Sequence, residues 1–306
     1  MVSKPVFVQS IKGGEMLKGA ITAMITPFKE TGELDEEGLR KNIRFQIENG
    51  ISGIAVCVTT SEAPALTEEE YRRVIEIAVE EAKGKVPIIA GTGTNNTDKT
   101  IKMTNFAKEI GADYALVVVP YYNKPTQEGL YRHYKKVAEE TDLPIIIYNV
   151  PGRTGREILP QTIARLSEIK NICAVKQAMA DLDKVTEIMR LCGDKITLLS
   201  GEDSLTFYML SAGGKGVISV LSNLLPKEVS EMVNAFLEGN IEKARELHFK
   251  LYPLFKVMFI ETNPIPIKAA MKLCGMPAGD PRLPLAPISE TSLKVLKEEL
   301  KKFGLL

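Results

Sequence analysis

The sequence predicts an α/β protein, a (β/α)8 TIM barrel with a C-terminal helical appendage. Short apolar runs alternate with amphipathic helical stretches eight times between about Ala20 and Leu237. The runs are almost continuously apolar, as strands covered on both faces are; a half-exposed strand would alternate. From about Gly239 onward the strand-like runs stop and only helical spacing remains. Strand followed by helix, repeated eight times, is the content of a closed parallel barrel. An open doubly wound sheet shares that content, because periodicity does not report closure.

Taken in order, the first run is Ala20 to Thr26, and the helix after it opens at Asp35 and continues through Leu39, Ile43 and Ile47. Ser52 to Val58 is the second. Its helix opens at Thr67, with Glu70 at capping-box spacing. Val86 to Ala90 leads to a helix carrying Ile101 and Phe106, and Asp113 to Val119 to one marked by Leu130, Tyr134 and Val137. Pro144 to Asn149, Ile172 to Lys176, Ile196 to Ser200 and Gly216 to Val220 complete the eight. Three helical patterns then follow: Ile241 to Phe259, Ile265 to Leu273 and Ser289 to Lys302, with the proline-rich stretch Pro277 to Pro287 before the last. The expected organisation is an N-terminal tail at 1–16, the barrel at 17–238 and a helical region at 239–306.

Composition narrows the function classes. In 306 residues, 39 Lys and Arg balance 39 Asp and Glu, so no net basic field draws the chain to nucleic acid. The longest apolar runs, Ala115 to Pro120 and Pro144 to Tyr148, fall far short of the roughly 20 residues of a spanning helix. Met1 to Met16 lacks the apolar core of a signal peptide. Cys57, Cys173, Cys192 and Cys274 form no C-x-x-C pair, which reads as free thiols in a reduced, cytoplasmic chain.

Familiar motifs fail on inspection. Gly91-Thr92-Gly93-Thr94-Asn95-Asn96 has Asn96 where a dinucleotide fingerprint needs its third glycine, so it reads as a tight βα turn. Gly213-Gly214-Lys215-Gly216 lacks phosphate-loop spacing. His133 and His248 stand far apart without a second ligand, so no metal site is expected.

In a barrel, chemistry comes from the carboxyl ends of the strands. Those ends carry Thr59 and Thr60 (strand two), Tyr121 and Tyr122 (four), Tyr148 with Arg153 beyond it (five), Lys176 (six) and Gly201 (seven). Lys176 closes the run Ile172-Cys173-Ala174-Val175, so its amine starts in an apolar wall. Desolvation lowers a lysine pKa and leaves a nucleophilic fraction able to attack a carbonyl. A strand-end lysine also snorkels to water or pairs with a carboxylate. A phenol shuttles protons when hydroxyls such as those of Thr59 and Thr60 connect it to solvent. Arg153, between Gly152 and Thr154, is suited to fork a carboxylate. From these residues alone, the reading is a Schiff-base lysine enzyme acting on a keto acid.

Several segments, in order, resemble the dihydrodipicolinate synthase and N-acetylneuraminate lyase family of pyruvate-dependent class I aldolases. They are Ala23-Met24-Ile25-Thr26-Pro27-Phe28, Val119-Pro120-Tyr121-Tyr122-Asn123-Lys124-Pro125, Tyr148-Asn149-Val150-Pro151-Gly152-Arg153-Thr154-Gly155, Leu199-Ser200-Gly201-Glu202-Asp203, Gly216-Val217-Ile218-Ser219-Val220 and Glu261-Thr262-Asn263-Pro264-Ile265-Pro266. The resemblance runs from about Leu17 to Leu306. It implies a lyase, commonly a homotetramer built as a dimer of dimers, that needs no cofactor beyond a covalent imine between Lys176 and pyruvate. Tyr148 then relays protons, with Thr59 and Tyr122 as partners, Tyr122 reaching in from a neighbouring subunit. Thr60 binds the pyruvate carboxylate, Gly201 and Ile218 supply backbone contacts, and Arg153 holds the carboxylate of aspartate semialdehyde. The implied reaction yields 4-hydroxy-tetrahydrodipicolinate, a step of lysine and diaminopimelate biosynthesis.

Two segments depart from the family pattern, and both are expected to line the mouth. Val58-Thr59-Thr60-Ser61-Glu62-Ala63 stands where the family has Gly-Thr-Thr-Gly-Glu-Ser, so Ser61 is expected to strain a turn that wants positive φ, and Val58 to add bulk. Gln177-Ala178-Met179-Ala180 replaces a segment opening with Glu, so Gln177 removes a charge close to Lys176 and Met179 adds apolar volume. These changes leave two alternatives: another pyruvate aldolase or lyase with an altered or redesigned pocket, or a catalytically silent barrel that binds a keto acid. At the family's lysine feedback site Asn95 and Tyr121 match, but Ala63, Glu68 and Lys99 replace Ser, His and Glu. Lys99 is expected to repel the amino group of lysine, leaving feedback weak or absent.

Overall fold

The computed structural model describes residues 17–306; the expected tail at 1–16 lies outside the described residues. Eight parallel strands, β1 (Gly19–Ala23), β2 (Gly53–Val56), β3 (Ile88–Gly91), β4 (Tyr114–Val118), β5 (Ile145–Asn149), β6 (Ile172–Gln177), β7 (Thr197–Ser200) and β8 (Gly216–Ser219), close in sequence order into a barrel. Closure is made by β1 against β8, with Gly19 opposite Gly216. A Cβ on Gly216 would lie 2.0 Å from the Gly19 carbonyl oxygen, so only glycine admits this strand contact.

The first helices are α1 (Glu36–Glu48), α2 (Glu68–Ala82), α3 (Thr97–Ile110) and α4 (Gln127–Glu139). Then come α5 (Pro151–Thr154), α6 (Pro160–Leu166), α7 (Leu182–Cys192), α8 (Thr206–Ser211) and α9 (Pro226–Leu237). Their starts are chemically marked. The Asp35 carboxylate accepts from Gly38 N, and Thr67 and Glu70 complete a reciprocal capping box.

Strands end where the backbone leaves the ladder, which explains why β1 and β2 stop short of their apolar runs. After β1 the Ile25 amide donates to the Asn223 side chain instead of to a strand. After β2, Cys57 adopts φ +54°, a left-handed turn that stops pairing. Apolar residues divide into an inner set, including Ile21, Ile89, Ile146, Ala174 and Leu199, and outer sets facing the helices. That alternation aims Tyr148 and Lys176 inward.

The C-terminal helices α10 (Ile241–Val257), α11 (Ile265–Leu273) and α12 (Glu290–Phe303) follow. Leu254 and Phe255 of α10, Met271 of α11 and Leu296 of α12 share one core with Leu39 and Ile43 of α1. This packing brings Asn263, Lys268 and Arg282 against the strand-two loop. No helix among the described residues is long and apolar enough to cross a membrane.

Candidate active site

Tyr148 and Lys176 are register partners on the adjacent strands β5 and β6. The Lys176 ammonium nitrogen lies 4.3 Å from the Tyr148 ring centroid, and both side chains are buried. Gly201 stands against the lysine stem. A Cβ there would come within 3.0 Å of Lys176 Cε and 2.6 Å of Ala178 Cβ. Ile218, buried on β8, belongs to the same inner cluster as Tyr148. Beyond Gly201, burial raises the pKa of Glu202 and Asp203, while the positive charge of Lys176 pulls each back down. Lys176 therefore sits in an apolar wall with two acidic groups within electrostatic reach.

The strand-two loop is tied down on both sides. Ser61 Oγ donates to the Met24 carbonyl at 2.6 Å and accepts from the Val58 amide at 3.1 Å; the Ser61 carbonyl accepts from the Thr26 hydroxyl at 2.8 Å. The expected strain at Ser61 is absent. The left-handed φ, +54°, falls one residue later on Glu62, leaving Ser61 free to use its hydroxyl. Glu62 is anchored in turn by Lys268 at 2.6 Å and by the Arg282 amide at 2.8 Å.

Thr60 is buried, and its hydroxyl oxygen accepts from Asn263 Nδ2 at 2.9 Å. Arg153, in α5, donates through Nη2 to the Asn263 carbonyl at 3.2 Å. A cavity of about 1340 Å³ opens beside these groups, and its lining includes Val58, Thr59, Tyr148, Arg153 and Asn263. Among the described residues the Thr59 hydroxyl and the Tyr148 phenol hydrogen-bond neither each other nor another group. Tyr122 is not brought to this cavity. It sits at φ +71° and is 90% exposed.

Like Lys176 itself, the residues of the second departing segment are not among this cavity's lining, where they were expected, although Ala178 belongs to the inner cluster with Tyr148. Gln177 follows Lys176 and so projects from the opposite face of β6. There its Oε1 accepts from Asn149 Nδ2 at 3.0 Å, in fully buried surroundings. Its missing charge is thus lost from the outer face of the strand, not from beside the amine. Met179 is half-buried and Ala180 exposed.

Sequence reasoning assigned no role to Asn263, Glu62, Lys268 or Asp203. Asn263 and Asp203 lay inside family-like segments, which was the available signal. Asp203 is buried and accepts from the Val220 and Leu221 amides, each at 3.0 Å, fixing the end of β8.

The chain matches the Dihydrodipicolinate synthetase family over residues 16–303. It is 54% identical to the 4-hydroxy-tetrahydrodipicolinate synthase of Geotalea uraniireducens (strain Rf4), over 95% of this chain and 100% of that protein. Among solved structures, the dihydrodipicolinate synthase from Aquifex aeolicus is 52% identical with a TM-score of 0.92, covering 94% of this chain and 98% of its own. A monomeric dihydrodipicolinate synthase variant is 47% identical with a TM-score of 0.93, covering 95% and 98%. The chain belongs to the dihydrodipicolinate synthetase family.

Proposed function

We propose that this member of the dihydrodipicolinate synthetase family is a lyase that condenses pyruvate with aspartate semialdehyde to 4-hydroxy-tetrahydrodipicolinate, a step of lysine and diaminopimelate biosynthesis. The observation that carries the reading is Lys176 set against Tyr148 on adjacent strands, with Tyr148 and Arg153 lining one cavity.

The neutral Lys176 amine adds to the keto carbon of pyruvate, and loss of water forms the imine. Removal of a methyl proton gives the enamine, whose carbon attacks the aldehyde and forms the new carbon–carbon bond. The amino group of the second substrate then displaces Lys176 from the imine carbon, closing the ring and freeing the enzyme. The phenol of Tyr148, beside the lysine nitrogen, moves the protons these steps need, with Thr59 and the Tyr122 of a second copy as relay partners. Thr60 binds the pyruvate carboxylate, helped by backbone groups of Gly201 and Ile218. Arg153 forks the carboxylate of the semialdehyde. The covalent imine is itself the electron sink, so no cofactor is called for.

The 90% exposure of Tyr122 supports an assembly in which that residue enters a neighbour's site, a homotetramer built as a dimer of dimers and working in the cytoplasm. The test is incubation with pyruvate and borohydride followed by peptide mapping. A reduced pyruvyl adduct on Lys176, lost in Lys176→Ala, is expected. Adduct only on surface lysines, or none, overturns the reading.

A further inference from the structure

We infer that Asn263 is a positioning residue that sets the polarity of the Thr60 hydroxyl and thereby governs pyruvate affinity. The inference rests on the proposed reading of Thr60 as the pyruvate carboxylate group.

Hydrogen-bond accounting at this buried pair carries it. A threonine hydroxyl owns one proton and can also accept. At Thr60 an acceptor place is filled by Asn263 Nδ2 at 2.9 Å, across 203 residues of chain. No described group accepts the Thr60 proton, so that proton stays available for an incoming anion. Were the amide turned over, its oxygen would take the Thr60 proton and leave none for a carboxylate. Burial sharpens the choice, because Thr60 is 2% exposed and Asn263 5%, which keeps water from substituting easily. Asn263 Oδ1 has no hydrogen-bond partner among the described residues, consistent with an amide held for what its nitrogen donates.

The same residue holds the second anion group by a different atom. Arg153 Nη2 donates to the Asn263 backbone carbonyl, not to its side chain. Side-chain replacement therefore removes the Thr60 contact and leaves the Arg153 contact in place. A residue of merely structural importance would not separate the two substrates in this way.

The experiment compares wild type, Thr60→Val, Asn263→Leu and Asn263→Asp by steady-state kinetics with each substrate varied, after circular dichroism establishes the fold of each. Asn263→Leu, which frees the Thr60 hydroxyl to turn its proton away from the incoming carboxylate, is expected to raise KM for pyruvate by up to roughly tenfold, and to leave KM for the aldehyde within about twofold. Asn263→Asp should raise pyruvate KM further at neutral pH, because its carboxylate takes the Thr60 proton, and should recover toward the Leu variant as acidification protonates it. An unchanged pyruvate KM in both Asn263 variants, or equal rises for both substrates, overturns the inference. If Thr60→Val leaves pyruvate KM unchanged, the reading of Thr60 itself fails, a separate result from failure at Asn263. Should Asn263→Leu not fold, Asn263→Ala takes its place with the same expectations.

Discussion

Lys268 Nζ lies 2.6 Å from Glu62 Oε1, and the two side chains are each 1% exposed. The pair joins α11 to the loop that carries Thr59 and Thr60. Lys268 also donates to the Thr26 carbonyl at 3.1 Å and the Asp280 carbonyl at 3.3 Å, and it stands 4.2 Å from the Phe28 ring centroid. Burial pushes the lysine pKa down, and Glu62 opposes that shift. Removing one partner strands the other charge in the core, which typically costs roughly 3–5 kcal/mol. Lys268→Met should therefore lose stability of that order in urea denaturation. The double variant Lys268→Met with Glu62→Leu should lose much less than the sum of the singles. Strict additivity would show that the charges are not coupled.

Gly201 leaves room for the stem of the proposed nucleophile. A methyl there meets Lys176 Cε at 3.0 Å and Ala178 Cβ at 2.6 Å, so the lysine stem or β6 must shift. Overpacking of this kind costs roughly 1–3 kcal/mol. Gly201→Ala should fold, yet trap the borohydride-reduced pyruvyl adduct at least roughly tenfold more slowly, since a displaced amine loses its line of attack. Trapping at the wild-type rate would mean that the lysine has room to spare.

The barrel and its strand ends were legible because each strand is a run buried on both faces, and Tyr148 and Lys176 are among the last inward residues of theirs. The supports of the site were not legible. Asn263 reaches Thr60 across 203 residues and Lys268 reaches Glu62 across 206, contacts that no local pattern announces. Ser61 was misread for a local reason: the left-handed φ of this loop sits on Glu62, one residue on, so a serine hydroxyl could replace a glycine without strain. Gln177 was misread because neighbours in a strand face opposite ways.

His133 gives the fold an acid-sensitive element away from the barrel mouth. Its Nδ1 contacts the Thr97 hydroxyl at 3.0 Å, while its buried Nε2 has no hydrogen-bond partner among the described residues. Burial lowers its pKa from an ordinary 6.5 to about 4. The unfolded chain then binds the extra proton between those values, so stability rises with pH there. Its contribution is complete above 6.5 and lost as pH falls toward 4, on the order of 3 kcal/mol in total. His133→Gln should flatten this part of the stability–pH curve when melting temperatures at pH 7.5 and 4.5 are compared. An unchanged slope would assign the acid loss to other groups.

Sensitivity to L-lysine can be argued from one charge. Ala63, Glu68, Lys99 and Tyr121 line the same cavity as Tyr148 and Arg153, so an effector held among them would be close to the chemistry. Lys99 places a cation where an ammonium-bearing effector would need an anion, and like charges a few ångströms apart repel even through partly solvated surroundings. L-Lysine should therefore inhibit weakly or not at all, and half-inhibition at submillimolar lysine would contradict this. Lys99→Glu reverses the local charge without touching Lys176, Tyr148 or Arg153. It should lower the half-inhibiting concentration at least roughly tenfold, the effect of one moderately screened charge pair gained and one repulsion removed. If wild type and Lys99→Glu respond alike, the charge at 99 does not control the effector, and the smaller side chain at Ala63 becomes the position to restore.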